Sequence, residues 1–389
     1  MPHIYGVDDL GAAFAGRARD IAARVLAPNA ADVDARATFP AVNMRALAEG
    51  GFFGLCVARE FGGEAQGPRV FASVVEELAG ACASTAMIYV MHVTAAQAIA
   101  ASTTLSDRAD LLRAIAAGRH LTTLALSEKG SRSQFWAPVS RLTEQGDGYV
   151  TSAAKSWVTS ASHADSYVAS AQKAAAASPL ESTVYLVRRK VSGVTVAGGF
   201  DGLGLRGNDS APVTIENVRL AAGDFVSQQG EGAKTMLEVI LPWFAIGTAA
   251  MAHGLCRAAV AATVAHLTGQ GFEHSNSRLC DLPNLRARLA QMSVRTEQSR
   301  ALLGYTLGEM EQPSATTPLF VLQARLAALD AALDVTDLAM KACGGAAFSK
   351  HLPVERLFRD ARAGWVMAPT VDHLQDFIGR ALTGMPLFG

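Results

Sequence analysis

The residues that could do chemistry are scattered along this chain. Gly202, Gly204 and Gly207 fit the GxGxxG spacing that lets backbone approach a dinucleotide pyrophosphate. A working fingerprint follows a strand and opens a helix. Here Asn208-Asp209-Ser210 and the strand-like Val213-Thr214-Ile215 come next, so the glycines read as a β-turn. The nine histidines show no metal-ligand spacing, and there is no HExxH, GxSxG or P-loop pattern. Glu76 and Glu77 are adjacent on a predicted helix, where neighbours do not share a face. They read as a solvated edge or caps rather than an acid/base pair. Cys56, Cys82, Cys256, Cys280 and Cys343 form no CxxC pair, which argues against a disulfide framework and a zinc site. They read as small buried hydrophobes in a reducing cytosol.

The elements that must position any site follow from pattern. The 389 residues, half of them hydrophobic, exceed the usual size of one domain and can bury a large core. A net charge of −1 offers nothing to recruit nucleic acid or an anionic membrane. No apolar run reads as long enough to span a bilayer, because Met236 to Met251 is broken by Glu238 and Pro242. The start, MPHIYGVDDL, lacks a basic region followed by an apolar one and does not read as a signal peptide. The expected location is cytoplasmic. Apolar residues at helical spacing fill Phe14 to Val25, Val70 to Leu78 and Met87 to Ile99, with helix breaks expected at Pro28, Pro40 and Gly62-Gly63. From about residue 121 the pattern becomes short β-branched or aromatic runs between turn residues, and from about Glu231 it returns to long helices. The expectation is an α+β chain with an N-terminal α-helical domain (1–120), a middle antiparallel β-domain (121–228) and a C-terminal four-helix bundle (229–389).

Five stretches, in order, resemble the acyl-CoA dehydrogenase superfamily. They are Glu60-Phe-Gly-Gly63 with Val74-Val-Glu-Glu-Leu-Ala79 and Ala83-Ser-Thr85; Leu126-Ser-Glu-Lys-Gly-Ser-Arg-Ser133; Lys155-Ser-Trp157-Val-Thr159; Gly204-Leu-Arg206 with Val218-Arg219; and Gly344-Gly345 with Leu352-Pro-Val-Glu-Arg-Leu-Phe-Arg-Asp-Ala-Arg362. The resemblance implies the fold just described and an FAD cofactor. It implies that Trp157 packs along the flavin ring and that the Thr159 hydroxyl reaches the hydride-accepting nitrogen. It places Leu126, Ser127 and Ser133 along the flavin and its pyrophosphate. It places Phe272, Lys341, Gly344 and Gly345 against the FAD of a neighbouring subunit, which implies a homodimer or homotetramer. Lys341 stands where the family has glutamine, and Gly269 where it has an arginine before Phe272.

The resemblance breaks at the base. The family takes the α-proton of an acyl thioester with a glutamate, whose desolvated carboxylate is basic enough near neutral pH. That glutamate opens an EGT triplet; here the triplet reads Ala368-Pro369-Thr370, and only Thr370 is retained. A minority of the family places the glutamate on the buried helix after the β-domain, where Trp243 or Phe244 stands. The backbone N–H at 368, which in the family polarises the thioester carbonyl, is kept. Replacement candidates are Asp372, His373, Glu238 and Glu128, each more in keeping with a cap or surface role. The apolar pairs Trp243-Phe244 and Ala368-Pro369 suggest a wide, dry cleft suited to a cyclic or aromatic acyl group. Three functions follow: an acyl-CoA or acyl-carrier-protein dehydrogenase with a relocated base, handing electrons to a transfer partner; a flavin oxygenase or oxidase using O₂ in secondary metabolism; or a flavin-binding scaffold without turnover.

Overall fold

A computed structural model describes residues 4–388; Met1 to His3 of the N-terminal stretch read above lie outside them. The chain opens with helices α1 (Asp9–Ile21), α2 (Ala27–Arg36), α3 (Ala41–Glu49), α4 (Pro68–Ala81), α5 (Ala83–Ala101) and α6 (Arg108–Ala116). The side chain of Asp8 caps α1 by accepting from the Gly11 N–H at 2.7 Å. Strands β1 (Thr122–Ala125), β2 (Leu142–Gln145), β3 (Gly148–Val158), β4 (Ser166–Gln172), β5 (Ser182–Arg188), β6 (Val194–Val196) and β7 (Ala211–Leu220) follow. The last part contains α7 (Gly232–Thr235), α8 (Leu241–Gly269), the short hairpin β8 (Gly271–Phe272) and β9 (Ser277–Arg278), then α9 (Pro283–Glu311), α10 (Thr317–Cys343), α11 (Gly345–Phe348), α12 (Val354–Val366) and α13 (Val371–Thr383).

The strands form two sheets, ordered β1-β4-β5 and β2-β3-β7-β6. All their pairings are antiparallel except β1 with β4, which run parallel with Thr122 opposite Ser166. The exception follows from chain path: β2 and β3 leave for the second sheet before β4 returns beside β1. Alternate residues of β7 are buried, including Val213 and Ile215, as a half-covered antiparallel strand requires. The β-domain has its own apolar core around Tyr167, Tyr185, Ile215 and Phe225. A larger core joins the helices, with α8 packed on α4, α9 and α10, and α12 and α13 packed on α10.

Three sequence expectations change. Pro28 does not break its helix. A five-residue π-turn, Ala22–Leu26, leads straight into α2, and the proline sits in the first turn beyond it. The wider turn removes the clash that proline makes with the carbonyl four residues back, and the Asn29 side chain donates to the Val25 carbonyl at 2.8 Å. Pro242 is accommodated the same way, after a π-turn at Met236–Ile240. Second, α5 and the run Gly232–Gly269 are long and apolar enough to cross a bilayer, because the π-turn carries the helix through Pro242; most of both is buried inside the protein. Third, Glu76 is not a solvated edge. It is buried beneath Arg300 and Arg257 at 2.9 and 2.7 Å and accepts from the Tyr5 hydroxyl. Burial alone would raise its carboxyl, but Arg300, His253 and Tyr5 hold it below the usual range.

Candidate functional site

A cavity of about 730 Å³ opens between the β-domain and the helices. Its β side is set by β3. Between Lys155 and Val158 the pairing advances three residues on β3 and two on β7, which makes a bulge. The bulge lets Lys155 and Val158 both point inward and turns Trp157 out. Trp157 has φ +57° and is 73% exposed, although it is a large aromatic on the cavity wall. A bulky residue held in the left-handed region and out of the core is strain that the surroundings must enforce. The segment Leu126–Ser133 lies along the same strand: Ser156 donates to the Ser127 carbonyl at 2.9 Å and Lys129 to the Ala154 carbonyl at 3.1 Å. Thr159 is buried at the rim, its hydroxyl 3.4 Å from that of Ser210.

Behind this wall lies a buried ion pair. Lys155 Nζ donates to Glu128 Oε1 and to the Ser170 carbonyl, both at 2.6 Å. The Glu128 carboxylate also accepts from the Val139 and Ser140 amides at 2.6 and 2.7 Å and from the Ser140 hydroxyl. Burial pushes the carboxyl up, but Lys155 and Ser140 outweigh it and keep it ionised. Burial lowers the Lys155 ammonium while Glu128 opposes that shift. Glu128 is the only carboxylate among the described wall residues, which include no histidine. With its lone pairs taken, it is a structural anchor and not a base.

The helical side is apolar: Met87, Met91, Ile240, Leu241, Phe244, Val366, Met367 and Ala368 line it. Two cations, Arg359 and Arg362, also reach the wall. Arg359 is bound to Asp34 and Glu355 at 2.6 and 2.8 Å. Arg362 lies over the Phe358 ring at 3.3 Å and donates to Thr336 Oγ1 at 2.8 Å. The turn with the GxGxxG spacing closes one end. A side chain at Gly204 would stand 2.4 Å from the Arg359 carbonyl, and the Leu205 N–H donates to Asp360 Oδ1 at 2.7 Å. Gly204 serves packing of the turn onto α12, while Gly207 lies against Val33 and the Thr38 carbonyl, in keeping with the reading of these glycines as a turn.

The cavity brings together Leu126, Ser127, Ser133, Trp157 and Thr159 with Ala368 and Phe244. Of the other candidates only Glu128, already bound to Lys155, lines it. Trp243 packs on Phe71 with ring centres 5.5 Å apart, so Phe244 is the member of that pair that faces the cavity. Glu238 is exposed on the π-turn rather than buried in the helix, and Asp372 is exposed on α13. His373 stacks against Phe377 and meets Trp136 edge-to-face, with Nδ1 3.1 Å from Thr370 Oγ1. Thr370 caps α13. Phe272 lies on the β8–β9 hairpin, Lys341 pairs with Asp337 at 2.6 Å, Gly344 (φ +56°) caps the end of α10 and Gly345 opens α11; none of the four belongs to the described wall.

One residue was not singled out from sequence. Arg325 on α10 is fully buried and stands with its guanidinium 4.8 Å from the Phe244 ring. Its Nη2 donates to the Met367 carbonyl at 3.1 Å, while Nε and Nη1 have no partner. No carboxylate pairs with it among the described residues, and burial pulls it well below the ordinary arginine range. The signal was present: Arg325 is the only charge between Pro318 and Leu329.

The donor set fits an FAD. An exposed aromatic in strained backbone, hydroxyls at Ser127, Ser133 and Thr159, and a long apolar cleft beyond them suit a planar, polar-edged ring with a substrate beside it. Comparison with known proteins agrees. The chain matches the family models for the acyl-CoA dehydrogenase N-terminal domain over residues 11–119, middle domain over 123–218 and C-terminal domain over 230–383. It is 28% identical to the mitochondrial short-chain specific acyl-CoA dehydrogenase of Bos taurus, covering 88% of this chain and 83% of that one. It is 27% identical to the cyclohex-1-ene-1-carbonyl-CoA dehydrogenase of Geobacter metallireducens, covering 94% and 95%. The solved butyryl-CoA dehydrogenase of Megasphaera elsdenii superposes with a TM-score of 0.92 at 23% identity, covering 97% of this chain and 99% of that chain.

Proposed function

The chain belongs to the acyl-CoA dehydrogenase family of FAD-dependent oxidoreductases, and from that premise we propose that it exchanges electrons with an acyl thioester without a protein carboxylate at the α-carbon. One observation carries this reading: both positions where the family's base is expected are apolar on the cavity wall, Ala368 and Phe244, and the wall's one carboxylate is spent on Lys155. Leu126, Ser127, Ser133, Trp157 and Thr159 would hold the flavin. Bound there, FAD supplies a ring that accepts hydride from the β-carbon. The chain's own part is to orient the acyl group against the apolar helical wall and polarise the thioester carbonyl through the Ala368 N–H. The α-proton then passes to water, which restricts the substrate to acyl groups whose α C–H is already acidified. The cleft between Phe244 and Ala368 suits a cyclic or aromatic acyl group, carried on CoA or a carrier protein. Phe272, Lys341, Gly344 and Gly345 are exposed or half-buried and apart from the cavity. That placement supports their completing the flavin site of a second copy in a dimer or tetramer.

The lack of a free base on the wall also favours a second reading, an oxygenase using O₂. Anaerobic mixing of the yellow protein with acyl-CoAs separates the two. Loss of colour with a thioester alone supports the first. Loss of colour only with an added reductant, restored by O₂ with oxygen found in the product, supports the second. A protein that purifies without flavin would defeat both.

A further inference from the structure

Arg325 is the least explained group in the molecule. A buried guanidinium without a carboxylate is costly, because burial strips its water and nothing returns the charge–charge energy. Here it is also doubly placed. It lies against Phe244 on one side and donates to the Met367 carbonyl on the other, and both Phe244 and Met367 line the cavity.

The Met367 carbonyl and the Ala368 N–H belong to one peptide unit. That unit is trans, so its two polar ends point in opposite directions. The carbonyl points to Arg325; the N–H points away from it, and Ala368 is a wall residue of the cavity. No backbone carbonyl among the described residues accepts from the Ala368 N–H. A cation donating to one end of a peptide draws electron density toward that oxygen and strengthens the N–H at the other end as a donor. In a low-dielectric wall the effect is not screened.

We propose that Arg325 is a positioning residue that polarises the Met367–Ala368 peptide, so that the Ala368 N–H binds the thioester carbonyl oxygen and stabilises the negative charge that builds there. The idea rests on the acyl-thioester reading above. It explains why an uncompensated charge is kept: with no carboxylate to take the proton, acidity must come from the carbonyl end of the substrate. The anion that answers Arg325 is the oxygen of the bound acyl group.

Two probes isolate the carbonyl. Acetoacetyl-CoA carries a thioester carbonyl and enolises readily; S-butyl-CoA is a thioether with the same CoA and no carbonyl. Their dissociation constants are measured on the FAD-loaded protein and on Arg325→Met, Arg325→Lys and Arg325→Gln. The expected result is that Arg325→Met weakens acetoacetyl-CoA about tenfold and S-butyl-CoA less than about twofold, roughly the worth of one charge-assisted hydrogen bond. Arg325→Lys should recover most of the loss, and the pH at which bound acetoacetyl-CoA enolises should rise in Arg325→Met. Where Arg325→Met fails to fold, Arg325→Gln, which keeps a donor and loses the charge, decides by the same ratio. Equal weakening of both probes, or no weakening of acetoacetyl-CoA, overturns the proposal alone. Wild-type protein that binds neither probe overturns the thioester reading and this proposal with it.

Discussion

The two walls of the cavity each bury a cation completely, and they treat it in opposite ways. On the β side, Lys155 meets Glu128, and that carboxylate is in turn saturated by Ser140 and the Val139 amide. On the helical side, Arg325 meets one backbone carbonyl and an aromatic ring, and two of its nitrogens have no partner. A saturated pair fixes shape and offers nothing to a ligand. An unanswered charge costs stability and is kept where a ligand can answer it. The comparison makes Lys155–Glu128 an anchor beneath the β wall and leaves Arg325, behind the helical wall, as the charge without a full set of partners.

The largest effect that could break this contrast is at Lys155. Lys155→Met strands the Glu128 carboxylate in the β-domain, and we expect a loss of about 3–5 kcal/mol in denaturant-induced unfolding. A loss under about 1 kcal/mol would mean that the pair is not the anchor described. The pH dependence sharpens the point. In wild type the Glu128 carboxyl is held low, so its contribution is present above the ordinary carboxylate range and is lost as pH falls through the depressed value. In Lys155→Met the partner charge is gone and burial is opposed only by the Ser140 and Val139 donors, so the carboxyl should move up. The raised group is then most favourable when protonated, so the penalty should shrink by about 1–2 kcal/mol between pH 7 and pH 4. A penalty that grows on acidification would contradict the assignment.

Trp157 tests whether the exposed, strained aromatic of the β wall faces a ring. Trp157→Ala should weaken FAD binding by about tenfold, in line with one lost aromatic contact. The melting temperature of the flavin-free protein should hold, because the side chain is outside the core. Arg325→Met is expected to do the opposite of a core truncation: unfolding free energy within about 1 kcal/mol of wild type, or above it, since an uncompensated buried charge is removed. A large destabilisation would return Arg325 to a purely structural role. The smallest effect is expected at Lys341, which is exposed and already paired with Asp337. Lys341→Ala should lower flavin retention by about two- to threefold, the worth of a screened surface charge. Unchanged retention would remove Lys341 from the flavin site of a second copy.

Much of the fold was legible because local pattern and global role agree in it. The alternation of β7 and the uninterrupted apolar faces of α5, α8 and α10 read directly as strand and buried helices. What failed was set by distant partners. Pro28 looked like a stop because the π-turn that admits it is invisible in composition. Glu76 looked solvated because Tyr5 and Arg300 reach it from 71 and 224 residues away. At the site, Ser127, Trp157, Thr159 and Ala368 were legible from motif spacing. The exposure of Trp157 was not, since it depends on a bulge in the register with β7. Arg325 was visible as the lone charge in the first half of α10, but its meaning depends on a carbonyl 42 residues further along.

The central claim is that no protein carboxylate stands ready at the substrate's α-carbon. Anaerobic mixing with butyryl-CoA, whose α C–H is not acidified, tests it most directly in wild type and in Ala368→Glu, with flavin colour as the readout. The account predicts that wild type keeps its colour and that Ala368→Glu loses it at least about a hundredfold faster, the usual worth of a positioned general base. Rapid bleaching of wild type, unchanged in Ala368→Glu, would show that a base operates elsewhere and would contradict the account.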